Sequence, residues 1–196
     1  MWQKNAPHPS VRMLGEKEMR IGDHLYFAPD ITFSNVDITG TTLAQQMGDR
    51  IRGFYLEPAH VLIENGHAFA SGVMLVVAID ALARLETGSQ NVGERFRGWC
   101  NAHLPSCTAS ISERFYDTFR NGLVHEARIK DGGEFTLEAD STFQERGKIL
   151  SCNPTHLLAE VALALAAYVK TLEAEPAELE AVRNRILKDF SYEFNN

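Results

Sequence analysis

The sequence predicts a mainly α-helical antiparallel bundle with an N-terminal extended arm or hairpin and a small inserted β-hairpin. Three observations lead there. Apolar residues recur at spacings of three and four over most of 41–174. Helix start and stop signals bracket those runs. One stretch, near 134–150, alternates like a strand and follows the turn Asp131-Gly132-Gly133.

In chain order, the first twenty residues lack periodicity and read as an irregular lead-in. His24-Leu25-Tyr26-Phe27 and Ile31-Thr32-Phe33 flank the turn Ala28-Pro29-Asp30, giving a hairpin or extended arm within 1–40. Leu43, Met47, Ile51 and Phe54 then mark a helix over 41–56, and Pro58 sits where a second would begin. Gly66 kinks the chain ahead of the most apolar helix, Ala68 to Leu85, whose apolar surface runs nearly all round and so belongs at the centre of a bundle. Its longest apolar stretch, Ala68 to Ile79, is short for a membrane span and leads into Asp80 and Arg84.

A short helix over 91–103 ends at Leu104-Pro105. Ser110-Ile111-Ser112-Glu113 has the form of a capping box opening a helix through Phe115, Phe119 and Leu123. Strands at Glu134-Phe135-Thr136-Leu137-Glu138 and Lys148-Ile149-Leu150 make the inserted hairpin. Asn153-Pro154, cap and first-turn proline, start a long helix through Leu157, Val161, Leu165 and Val169. A last helix, within 176–196, carries mixed charges suited to a solvated outer face. With no repeat or linker, 1–196 reads as a single domain.

The formal charge of −7 argues against coating DNA along a broad surface, because phosphate neutralisation supplies most non-specific affinity. Any RNA contact would be local. Three cysteines, Cys100, Cys107 and Cys152, are odd in number and lack ligand spacing, which fits a reducing, cytoplasmic setting. Met1-Trp2-Gln3-Lys4 does not begin a signal segment. His60, Glu64 and His67, with Glu57, have ligand-type side chains, but Gly66 interrupts their face, and neither metal nor cofactor is expected.

The strongest constellation is Arg120-Asn121-Gly122-Leu123-Val124-His125 at the end of a helix. Arginine offers a permanent cationic fork for phosphate oxygens, and histidine a proton carrier near neutral pH. Such a pair could cleave RNA without metal: His125 handles the 2′-hydroxyl or leaving-group proton and Arg120 steadies the phosphate. Residues five apart on an intact helix point about 140° apart, so the two cooperate only if the helix unwinds near Gly122 or a second protomer supplies its own pair. Asn121, four before His125, could orient the ring. The bland alternative pairs Arg120 with Asp117 or Glu126 and leaves His125 as a helix-end cation. Asp80, costly to bury unpaired, has Arg84 one turn on as its preferred partner and Arg120 as the functional alternative.

The segment from Phe115 to Glu126, FYDTFRNGLVHE, resembles the signature of HEPN domains, and Ala78-Ile79-Asp80-Ala81-Leu82 resembles that family's central helix. The resemblance covers the layout of about 41–169 and implies a HEPN-like bundle that forms a homodimer with motifs paired across the interface. It further implies a metal-independent endoribonuclease of toxin–antitoxin or defence systems, acting by 2′-hydroxyl attack, with an antitoxin or defence protein as partner. Arg120 and His125 would be catalytic, with Asn121, Asp80 and Asp117 in support. The alternative is a non-catalytic RNA- or nucleotide-binding or protein-interaction module of the same fold. The N-terminal arm and inserted hairpin depart from the minimal family pattern.

Overall fold

The computed structural model describes residues 12–14, 18–20 and 25–194. Inside the expected irregular lead-in, β1 (Arg12–Leu14) pairs antiparallel with β2 (Glu18–Arg20). The hairpin read around Pro29 is present as β3 (Tyr26–Ala28) and β4 (Ile31–Thr32), and a single 3-10 turn, Phe33–Asn35, follows it.

The next helix does not restart at Pro58. Instead α1 (Leu43–Ile51) runs through a π-helical stretch, Arg52–Leu56, straight into α2 (Glu57–Glu64). Proline lacks the N–H that an α-helix would direct back four residues, and the wider turn accommodates it: the Glu57 N–H reaches back five, to the Arg52 carbonyl. Gly66, at φ +76°, ends this rod. The helix α3 (Ala68–Thr87) stops at Gly88, whose left-handed backbone closes on the Arg84 carbonyl.

This central helix touches α2, α4 (Val92–His103), α7 (Pro154–Ala174) and α8 (Pro176–Asp189). Leu75, Val76, Ala78, Ile79, Leu82 and Ala83 are buried on it. Its 20 residues, with a best window of mean hydropathy 1.8, are long and apolar enough to cross a membrane, yet here they form the hub of the bundle. A cluster of Phe27, Phe33, Phe190 and Phe194 ties the N-terminal hairpin to the end of α8 and to α9 (Ser191–Phe194), with ring centroids 5.2 to 6.3 Å apart. The mixed-charge helix α8 buries Val182 and Ile186 and leaves its remaining faces to solvent.

Two local readings need correction. The helix α5 (Ala109–Arg114) is capped by Thr108, whose hydroxyl accepts the Ile111 N–H at 3.3 Å. Ser110 lies inside the first turn, and Ser112 is buried and donates to the Ala109 carbonyl at 2.9 Å. The insertion is also not one hairpin. It is a three-stranded sheet in the order β5 (Gly133–Phe135), β7 (Ile149–Cys152), β6 (Phe143–Arg146). The two strands foreseen, β5 and β7, run parallel, while the antiparallel partner of β7 is β6, whose alternation is weak.

Asn153 joins sheet to helix. Its carboxamide oxygen accepts the Thr155 N–H at 2.9 Å, as expected of a cap, and its amide nitrogen donates to the carbonyls of Leu137 (3.3 Å) and Ala139 (2.7 Å). The side chain is 2% exposed, so no water replaces these partners. Asn153→Ala is expected to cost about 2–3 kcal/mol in chemical denaturation, and Asn153→Asp nearly as much, because it keeps the cap but turns a donor toward two carbonyls into an acceptor.

Candidate functional site

Helix α5 widens into a second π-helical stretch, Phe115–Arg120, before α6 (Asn121–Glu126) continues it. The Asn121 N–H bonds the Tyr116 carbonyl, five residues back. One extra residue in a turn rotates everything beyond it by about 100° relative to an unbroken α-helix. Phe115, Thr118 and Phe119 remain buried, and Arg120 is directed inward toward α3.

There Arg120 meets Asp80. Its Nη2 and Nε donate to one carboxylate oxygen at 2.8 and 3.2 Å. Arg95, from α4, donates through Nη2 to the other oxygen at 2.9 Å and through Nη1 to the Ser89 carbonyl at 3.0 Å. The side chains are only 20% (Asp80), 10% (Arg95) and 12% (Arg120) exposed. One carboxylate therefore holds two guanidinium groups, a local excess of one positive charge, and the buried Arg95 Nε has no hydrogen-bond partner.

The preferred partner for Asp80 was the wrong one. Arg84 turns away to bind Asp189 at 3.1 Å and the carbonyls of Gly88 and Ser89. Sequence spacing on one helix favours the residue one turn on, whereas Asp80 faces α4 and the motif helix. Arg95 was missed altogether, and its one sequence signal is a charge on the otherwise buried face that carries Phe96 and Trp99. Arg120 likewise pairs with neither Asp117 nor Glu126. Glu126 binds Lys130 and, at 2.7 Å, Arg128, and the Lys130 hydrogen bond leads in holding its carboxyl below the ordinary range.

The helix does not unwind at Gly122. That residue is buried in an intact α6, and the chain beyond it folds back: Ala127 adopts left-handed backbone at φ 53°, and the Lys130 N–H bonds the Thr118 carbonyl at 2.9 Å. A Cβ at position 122 would collide with the Arg128 carbonyl oxygen. The glycine is there for that close approach. His125 lies on the exposed side of α6 and forms no hydrogen bond or ion pair among the described residues. Asn121 does not orient it, since its amide makes only a long contact, 3.5 Å, with Asp117. Within one chain, then, Arg120 is turned inward and His125 outward.

The remaining candidates are simpler. His60 and Glu64 form an exposed pair at 3.6 Å, and among the described residues no group of three or more acidic, histidine or cysteine side chains is placed to hold a metal. Cys100, Cys107 and Cys152 are free and buried together, and burial pushes the Cys100 and Cys152 thiols well above their ordinary range, which leaves them protonated.

Asp80→Asn is expected to destabilise the fold by about 2–3 kcal/mol, because it strands two guanidinium groups, and Asp80→Asn with Arg95→Met should recover part of that loss in a denaturant titration. Arg84→Ala should leave the cost of Asp80→Asn unchanged. Gly122→Ala is expected to cost more than about 1 kcal/mol, and Ala127→Gly to gain roughly 0.5 kcal/mol, both read by thermal melting. No known family model, curated protein or solved structure matches this chain, so the residues themselves carry what can be concluded about its function.

Proposed function

We propose that the chain is a HEPN-like bundle that works as a cytoplasmic homodimer and cleaves RNA without metal. The observation that carries this is an exposed His125, with no hydrogen bond or ion pair among the described residues, on the same motif as an inward cluster of Arg95 and Arg120 that exceeds its carboxylate by one charge. Arg120 and His125 point apart in one protomer, so the reading requires a second, whose motif faces the first.

In that arrangement one His125 takes the proton of a ribose 2′-hydroxyl, and the freed oxygen attacks the adjacent phosphorus. The bond to the 5′-oxygen breaks, and the protonated His125 of the opposing protomer supplies the proton that the leaving oxygen needs. The products are a 2′,3′-cyclic phosphate and a 5′-hydroxyl. Arg120, aligned by Asp80 and Arg95, contributes positive potential to the developing charge. The acidic surface restricts RNA to this local patch.

A second reading has its own support. Both Nε and Nη2 of Arg120 are engaged by Asp80, which suits a non-catalytic RNA- or nucleotide-binding or protein-interaction module where the arginine fastens helices together. A panel of RNAs incubated with chelator separates the two. Cleavage with 2′,3′-cyclic ends, lost by at least 100-fold in His125→Ala at unchanged melting temperature, is the expected result. Arg120→Ala should lose cleavage likewise, and Arg120→Lys takes its place if the alanine variant unfolds. No cleavage of any RNA by folded protein favours the module, and a monomeric mass at micromolar concentration in solution scattering overturns the shared site.

A further inference from the structure

Another cation of this acidic chain has no counter-ion among the described residues. Arg50, near the end of α1, is half-buried, and its guanidinium carbon lies 5.3 Å from the Phe27 ring centroid, 5.6 Å from Phe54 and 4.7 Å from Phe190. Its Nη1 donates to the Phe27 carbonyl. Among the described residues it forms no ion pair, and Tyr55 and Glu193 act on it only through space. Burial is the main cause of its lowered pKa, though an arginine remains charged at neutral pH.

Arg50 borders a cavity of about 150 Å³ whose wall is mostly apolar, from Met47, Ile51, Ala81, Leu85 and Ile186 among others. One carboxylate reaches the same wall, that of Asp189, and Arg84 occupies both of its oxygens at 3.1 and 3.3 Å. Among the described residues the wall therefore carries two arginines against one acid, and the charge left without an ion pair is on Arg50. Aromatic faces and one carbonyl offset part of the cost of desolvating a guanidinium, and a carboxylate would offset more, through two parallel hydrogen bonds. A void of this size, lined by apolar side chains, takes a molecule about as large as benzene.

We propose that this cavity is a binding site for a small carboxylic acid with an apolar body, its carboxylate on Arg50 and its body against Met47, Ile51 and Ala81. The site is independent of the RNA-cleavage reading and lies at the junction of α1, α3, α8 and the N-terminal hairpin. Benzoate is the probe, with benzyl alcohol as a neutral molecule of the same size, and calorimetry and protein-observed NMR are the readouts on the full chain. Benzoate should bind saturably with Kd on the order of 1 mM or lower, and benzyl alcohol about tenfold more weakly. Arg50→Met should weaken benzoate by about tenfold or more and leave benzyl alcohol unchanged, while Ala81→Phe, which fills the space, should abolish both. The wild-type comparison of the two probes stands even if Arg50→Met fails to fold. Equal affinity for both probes, benzoate binding that survives Arg50→Met or Ala81→Phe, or no saturable binding of benzoate overturns the proposal.

Discussion

A single carboxylate on the central helix, Asp80, organises the part of this molecule where chemistry could occur. It reaches α4 through Arg95 and the motif helix through Arg120, so three helices meet on two oxygens. Hydrophobic burial presses helices together but does not fix their rotation about their own axes, because it is non-directional. Charge-assisted hydrogen bonds do, since their length and angle tolerate little error. Once Arg120 is fixed inward, the intact α6 necessarily presents His125 to solvent. The outward histidine is a consequence of the inward arginine.

The acidic net charge conceals a specific local arrangement. Most acidic side chains are on the surface, screened by salt over about 8–10 Å. Two sites among the described residues where cationic charge outweighs acidic charge, Arg95–Arg120 and Arg50, are partly withdrawn from solvent, the second against aromatic and apolar side chains. There the local dielectric is lower and the field less screened, so the positive excess is felt more strongly than the whole-chain balance suggests.

What the sequence disclosed follows from how far each signal reaches. Helices α3, α4 and α7 were readable because their apolar runs and the signals that bound them, Gly66, Leu104-Pro105 and Asn153-Pro154, lie in or beside the element they define. The Phe115–Arg120 π-helical stretch was not, because its residue types are those of an α-helix and the extra residue is selected by what Phe119 and Arg120 must touch. The parallel pairing of β5 with β7 was hidden because register between distant strands is a tertiary choice, whereas β6 alternates too weakly to be read. For the candidate site, the importance of Arg120 and its reach to Asp80 were foreseen as one of two options. The third member, Arg95, and the outward turn of His125 needed coordinates. The Thr108 cap was misplaced by two residues because Ser110, Ser112 and Thr108 all carry the hydroxyl that capping requires.

The apolar surface of α3 bears on how the chain reaches this fold. Its first neighbour, α2, precedes it, but α4, α7 and α8 all follow, so a growing chain exposes the most hydrophobic helix before most of its cover exists. Through that interval α3 has the length and apolarity of a membrane segment without a bundle to enter. Exposed helices of that kind are the ones chaperones and membrane-insertion machinery compete for. Asp80 and Arg84 then bear on that interval as well: charged side chains in the second half of α3 raise the cost of placing the segment in lipid.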